Sequence, residues 1–403
     1  MLLRPFALRL ATALLLLGFV AVPVGAADFT DSAQRRVVLP DRIGRVMAAN
    51  PSAEVLVFAL APDKLAGWTR PLGSMQRPYV PARFANLPVT GRITGPNPTA
   101  TIDTVRRLRP DLVIDAGMLT PERIALADAI QQQTGVPCIL VDDSIQRTPT
   151  ILRAIGVVLG VADRGNDLAT FAEHAIVGLR GRLLIRPADD RPRVYYGRRP
   201  DGLETALPGS PAGEDINEAG AINVAAGLGR DARILVSRDQ LRGWDPNVII
   251  AEDRSFYDAL LRDPLWRNLD AVRYKRIYLA PANPFGWIDD PPGINRLIGL
   301  YWLSSVLYPD MSQEDLRSTV RDFYDKFYGM KLTDAQIEGL LRLAEARVGE
   351  TRRPTGGEPL VGLGAAPPVP IPTGPTYPTA TPPGRGGPTP GGTVPNVPPT
   401  RLH

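Results

Sequence analysis

Hydrophobic positions along this chain fall into two alternating patterns. Short runs that are apolar at all or nearly all positions read as strands: Val46 to Ala48, Leu112 to Ile114, Val136 to Val141, Val194 to Tyr196, Val248 to Ile250 and Arg276 to Leu279. Between them lie stretches with helical spacing, including Ala53 to Leu60 after a cap at Asn50 or Ser52, Pro121 to Gln133, Gly213 to Leu228 and Tyr257 to Leu261. Val37 to Val46 reads as a hairpin or edge strand broken by Pro40, and Lys64 to Trp68 as a further strand. Ile145 to Ile185 is free of strand signals, and the glycines from Gly160 to Gly165 divide it into a short helix and a long one. Three helices follow the last strand: the strongly apolar Ile294 to Leu307, then Ser312 to Tyr328 and Asp334 to Val348. Strands alternating with helices predict an α/β fold of two lobes, each with a mainly parallel central sheet flanked by helices, joined by a single long helix.

One segment occurs twice. TIDTVRRLRPDLVIDAG, starting at Thr101, is echoed by SRDQLRGWDPNVIIAED, starting at Ser237. In each copy an acidic residue (Asp103, Asp239) opens a short helix. A proline seven positions later (Pro110, Pro246) stops it, and a buried strand follows. The domain boundaries that result are a leader over 1–27, an N-terminal lobe over 28–145, a connecting helical segment over 146–186 and a C-terminal lobe over 187–350.

Composition narrows the chemistry. The chain has 403 residues, 44% hydrophobic, with 46 basic and 42 acidic side chains, a balance that argues against a nucleic-acid partner. Arg4 and Arg9, the apolar run Leu10 to Val22 and the small residues to Ala27 form a secretory signal peptide, and the run is too short to span a bilayer. Cys138, His174 and His403 are the only thiol and imidazoles, which argues against a protein-held metal, a resident cofactor and a Ser-His-Asp or Cys-His catalytic centre. Asp115, Asp142, Asp143, Glu252 and Asp253 at strand ends supply carboxylates, with no nucleophile paired to them, so an enzyme on this scaffold is the weaker reading. Fifteen of the 42 prolines fall between Pro354 and Pro399, which predicts a disordered tail over 351–403, a feature an envelope scaffold or sensor would use as a tether.

The runs RLRPDLVI, AGAINVA and FGWIDDPPGINRLIGLYWLSSVLYP, in this order within residues 36–330, resemble the class III periplasmic substrate-binding proteins of ABC importers. The resemblance implies an exported, monomeric periplasmic receptor whose two rigid lobes clasp a metal chelate, with a ferric siderophore first and cobalamin, haem or an oxyanion such as molybdate as alternatives. It also implies that Asp103 and Asp239, matching the acidic residues that meet arginines of the transporter in the cobalamin receptors, dock the permease. Both are Asp where those receptors carry Glu.

Open parallel sheets bind small molecules beyond the carboxyl ends of their strands. That rule nominates Trp68, Arg70 and Arg92 in the first lobe and Tyr195, Arg198, Phe285 and Trp287 in the second, with Tyr196 and Arg254 beside them. Aromatics with arginines suit a flat, anionic ligand. Tyr195 and Tyr196 point to opposite faces of one strand, so at most one faces the cleft.

Overall fold

Each buried apolar run becomes a strand because helices or a second layer cover both of its faces. The computed structural model describes residues 27–184, 187, 190–230, 232–309 and 314–341. The leader up to residue 26, the last helix beyond Leu341 and the tail over 351–403 lie outside the described residues.

The first lobe begins with the antiparallel hairpin β1 (Ala27–Thr30) and β2 (Arg36–Leu39). β3 (Val46–Ala48) then leads into α1 (Pro51–Leu60), whose N-terminus is fixed by Asn50 Oδ1 accepting from Ala53 N–H and by Pro51 in the first turn. Nine of the ten residues of α1 are buried, which makes it the helix around which this lobe packs. The expected strand Lys64 to Trp68 reduces to isolated bridges, Val46 with Leu65 and Trp68 with Val89. After α2 (Ala82–Ala85) come α3 (Ile102–Leu108), β4 (Leu112–Ala116), α4 (Pro121–Thr134) and β5 (Cys138–Val141), giving a parallel sheet in the order β3-β4-β5.

α5 (Thr148–Val158) and the 23-residue α6 (Ala162–Leu184) pack on each other and carry the chain to the second lobe. There the elements are β6 (Arg193–Arg198), β7 (Glu204–Ala206), α7 (Pro211–Glu218), β8 (Ile222–Asn223), β9 (Arg233–Leu235), α8 (Arg238–Trp244), β10 (Val248–Ala251), α9 (Arg254–Arg262), α10 (Asp270–Arg273) and β11 (Ile277–Leu279). The sheet runs β11-β10-β6-β7-β9, with β8 paired to β6. The pairs β10/β11, β10/β6 and β6/β8 are parallel, and only β7 runs against its neighbours. α7 stops well short of the expected Leu228. Gly220 takes a left-handed φ of 71°, ending the helix as glycine readily does, and Ile222–Asn223 joins the sheet instead.

The repeated segment has the same local structure in both lobes. Thr104 Oγ1 accepts from Thr101 N–H at 3.3 Å in α3, and Gln240 Oε1 accepts from Ser237 N–H at 2.8 Å in α8. Arg109 and Asp245, each preceding a proline, end their helices in the left-handed region at φ 46° and 42°. The following proline disfavours the right-handed helical conformation at that residue, which turns the chain sharply into β4 or β10.

The final described helices bridge the two lobes. α11 (Arg296–Leu307) packs on α6 and α7, but α12 (Glu314–Tyr328) and α13 (Asp334–Leu341) return to the first lobe rather than completing the second. Tyr328 meets Phe58 of α1 at 5.9 Å between ring centroids, and Tyr79 Oη donates to the carbonyl of Gln336 at 3.3 Å. α12, which also packs on α11, thus supplies the aromatic face that covers α1.

Two consequences for stability arise here. A Cβ on Gly299 of α11 would collide with the carbonyl oxygen of Trp287, so Gly299→Ala is expected to destabilise the fold by about 1–3 kcal/mol, read as a lowered urea midpoint. Glu54 on α1 is 3% exposed and accepts from Thr69 N–H; burial pushes its carboxyl up to about 7 against the opposing pull of Thr69 and Arg70. A carboxyl raised in the folded state holds its proton longer than in the unfolded chain. Stability therefore falls as pH climbs from about 4.5 through about 7, and Glu54→Gln should flatten that part of a stability–pH profile and raise the urea midpoint above it.

Candidate functional site

The carboxyl ends of β4 and β5 in the first lobe face those of β6 and β10 in the second, and a cleft of two adjoining chambers lies between. The first chamber has a volume of about 490 Å³. The N-terminal turn of α1, Arg92, Arg123 and Asp143 border it from one lobe; Arg198, Ser210 and Arg296 border it from the other. The second chamber, about 690 Å³, is lined by Arg70, Tyr196, Glu252 and Asp253, and it shares Arg198, Asp289 and Asp290 with the first.

The walls of the first chamber are held rigidly. Asn50, besides capping α1, donates through Nδ2 to Asp115 Oδ1 and to the Ala116 carbonyl, both at 2.7 Å. Asp115, 3% exposed, also takes Arg123 Nε at 3.0 Å, so α1, β4 and α4 are tied at one point. Across the cleft Arg296 is wholly buried. Its Nε donates to both oxygens of Asp215 at 3.0 Å, and its Nη2 to Glu214 Oε2 at 2.6 Å and to the Pro211 carbonyl at 2.9 Å. Burial disfavours its charged form, but Asp215 and Glu214 outweigh that and hold the guanidinium above its ordinary value. The same cluster joins the lobes: Arg296 Nη1 donates to the Asp143 carbonyl at 3.2 Å, and Glu214 accepts from Ile145 N–H at 3.2 Å. Asp143 is itself pushed above the usual carboxylate range by burial, against Arg296 and Arg123.

Arg198 sits at the boundary between the chambers, with Nε 3.1 Å from Glu204 and 3.3 Å from Glu252 and Nη1 against Asp289. Arg92 is different. Its Nε donates to the Asn97 carbonyl at 3.0 Å, and among the described residues no carboxylate pairs with it. No group of three or more His, Cys, Asp or Glu among the described residues is placed to hold a metal ion.

Of the residues nominated from sequence, Arg92 and Arg198 meet on the first chamber, while Arg70 and Arg198 meet on the second, where Arg70 is held by Asp290 at 3.1 Å. The aromatics need correcting. Trp68 is 1% exposed, donates its indole N–H to the Phe84 carbonyl at 2.9 Å and packs with Phe58 and Phe285 in the core. Phe285 is buried with it, because α12 brings Tyr328 over its face. Trp287 borders the second chamber, but its indole is buried and donates to Tyr324 Oη at 3.2 Å. Tyr195 points away, its hydroxyl donating to the Gly202 carbonyl at 2.7 Å, whereas Tyr196 on the opposite face of β6 lines the chamber. Arg254 pairs with Asp258 four residues along its own helix. Sequence reading missed Asn50 as a wall of the site, along with Arg123 and Arg296. The isolated charge of Arg296 at the start of an apolar helix was the available signal. Asp103 and Asp239 are exposed, each beside an arginine three residues on: Arg106 in contact with the former, Arg242 at 3.8 Å from the latter.

Residues 76–284, more than half the chain, match the family model described as periplasmic binding protein. The chain belongs to that family. Two like-built lobes joined by one long helix make this periplasmic binding protein a class III member, so it is a solute receptor and not an enzyme, serving an ABC import permease from the periplasm. It is 29% identical over 326 residues to the molybdate-binding protein MolA of Haemophilus influenzae, covering 74% of this chain and 90% of MolA. The solved structure of MolA bound to molybdate superposes with a TM-score of 0.64 at 25% identity, covering 76% of this chain and 99% of that one. A solute-binding protein of an ABC transporter from Sulfurospirillum deleyianum superposes with a TM-score of 0.70 at 27% identity, over 79% of this chain and all of that one.

Proposed function

We propose that this periplasmic binding protein captures a compact oxyanion of the molybdate type in the first chamber and delivers it to its permease. The observation that carries the reading is the convergence of Arg92 and Arg198, from opposite lobes, on one cavity bordered by the N-terminal turn of α1. Guanidinium groups give directed, charge-assisted hydrogen bonds to oxyanions, and a helix N-terminus adds a favourable dipole. Arg92, with no carboxylate on it among the described residues, has its charge available. The molybdate named for the Haemophilus relative is in keeping with this. A ferric siderophore, favoured by the sequence alone, would call on the aromatic surfaces of Trp68 and Phe285, which are spent in the core.

Isothermal titration of the purified protein with sodium molybdate, sodium sulfate and a ferric catecholate tests the reading. One-site saturation by molybdate is the expected result; binding of the ferric catecholate without molybdate would overturn it and restore the chelate.

Asp103 and Asp239 are proposed as the permease contacts. They occupy equivalent positions of the repeated segment, at the N-terminal turns of α3 and α8, and both are solvent-exposed. Paired rim charges set encounter rate and register more than affinity. The double variant Asp103→Ala/Asp239→Ala should lower molybdate uptake by cells while molybdate affinity of the purified protein stays the same.

A further inference from the structure

Four carboxylates, Glu252, Asp253, Asp289 and Asp290, and three guanidinium groups, Arg70, Arg198 and Arg199, border the second chamber. The guanidinium groups are already engaged. Arg70 pairs with Asp290, Arg198 with Glu204, Glu252 and Asp289, and Arg199 lies 3.9 Å from Glu204, a fifth carboxylate that is not part of the lining. Negative charge is therefore in excess, and an anion is a poor occupant. At about 690 Å³ the space suits a small organic molecule.

An acidic excess alone would describe any solvated patch; two buried atoms give this one a direction. Tyr196 is 1% exposed and its hydroxyl has no hydrogen-bond partner. Glu252 spends Oε2 on Arg198 at 3.3 Å, and its Oε1 is buried and unpartnered. Both residues belong to one face of the sheet. β10 pairs with β6 so that Ile250 is opposite Tyr196 and Ala251 opposite Gly197, which puts Glu252, the residue after β10, beside Arg198 and on the side of Tyr196. A buried polar atom without a partner is costly, and two bordering one cavity call for an occupant that completes them.

A carboxylate oxygen only accepts, and a phenol oxygen accepts as readily as it donates. Burial lifts the Glu252 carboxyl, against Arg198, and a cation beside it would favour the charged form. The occupant must therefore bring several donors on a positive group. An alkylammonium head does both, with three N–H donors on one cationic nitrogen. A quaternary ammonium has the charge without the donors, and a hydroxyl has a donor without the charge. Ala280, Pro281 and Ile288 give the chamber an apolar flank for the organic body.

We propose that the second chamber is a binding site for an organic primary ammonium ion, whose nitrogen donates to Glu252 Oε1 and to the Tyr196 hydroxyl. The assignment does not depend on what fills the first chamber, and binding makes and breaks no covalent bond.

The test is isothermal titration of the full chain, at fixed salt, with three probes built on one carbon skeleton: phenethylammonium chloride, its N-trimethylated counterpart and phenethyl alcohol. The primary ammonium is expected to saturate one site and to bind at least about tenfold tighter than the trimethylated ion, the gain from completing two buried hydrogen bonds. Phenethyl alcohol should give no saturable heat. Glu252→Gln should weaken the primary ammonium by about tenfold and Tyr196→Phe by about threefold to tenfold, each variant being checked for a wild-type melting curve. Equal binding of the two cations overturns the site in favour of unspecific charge attraction, and tighter binding of the alcohol overturns it in favour of a neutral ligand. A primary-ammonium affinity within twofold of wild type in both variants also overturns it. Absence of saturable heat from all three probes does the same and leaves the oxyanion reading as it stands. The three-probe comparison uses the wild-type protein, so it decides even where a variant fails to fold.

Discussion

Replacing Arg296 by alanine is expected to cost about 3–5 kcal/mol of folding stability, because it leaves a buried carboxylate without its counter-charge. Asp215 is wholly buried and takes three of the hydrogen bonds of Arg296; Glu214 takes a fourth. Asp215 is fully buried and does not itself line the cleft, so in the variant it relieves its penalty chiefly by binding a proton. Burial already holds the Asp215 carboxyl above its ordinary range against the pull of Arg296; without the guanidinium it rises further, and the variant's stability declines more steeply as pH rises beyond the ordinary Asp range. Urea denaturation at pH 5 and pH 8 should accordingly show a larger deficit at pH 8. A companion variant, Arg296→Met with Asp215→Leu, removes both charges and should recover much of the loss, as apolar replacement of buried ion pairs commonly does. Equal deficits at the two pH values, with no recovery in the companion, would show that Arg296 acts through packing of its stem alone.

The second large effect is on binding. Arg92→Ala should weaken molybdate by about ten- to a hundredfold, the contribution of hydrogen bonds to a charged group in a partly enclosed site. Arg92 is the cleaner probe of the two cleft arginines. Truncating Arg198 would also strand Glu252 and Asp289, mixing lost affinity with local rearrangement. Arg92→Lys keeps the charge without the planar fork and should recover only part of the affinity. Titration calorimetry at fixed salt reads all three, and an Arg92→Ala affinity within twofold of wild type would remove this residue from the site.

How far the residues could be read without coordinates depended on whether the deciding physics was local. The repeat was legible because its parts are neighbours in sequence: a capping side chain, a pre-proline left-handed residue and a buried strand recur at the same spacing in α3–β4 and α8–β10. The strand-end rule likewise brought Arg92 and Arg198 to the cleft. It gave position along the chain, however, and not burial. Phe285 follows β11 as expected and Trp68 bridges Val89, yet α12, some forty residues beyond Phe285, carries Tyr328 onto Phe285 and Phe58, and those two rings in turn pack on Trp68. Tyr195 and Tyr196 were separable only as a pair on opposite faces, since which face meets the cleft depends on how β6 sits between β10 and β7. Arg296 was hidden for a related reason: its partners Asp215 and Glu214 lie eighty-odd positions upstream, and nothing near it in sequence signals the pairing.

The return of α12 to α1 bears on how such a chain is made. The aromatic cover for the earliest helix is specified near the end of the described residues, so a growing polypeptide exposes α1 before its cover has been made. Contacts that distant in sequence form slowly, because the long intervening segment must be closed before any of them is rewarded. For the finished receptor the consequence is that the first lobe cannot be closed by its own N-terminal residues: a chain that stops before α12 leaves α1 uncovered.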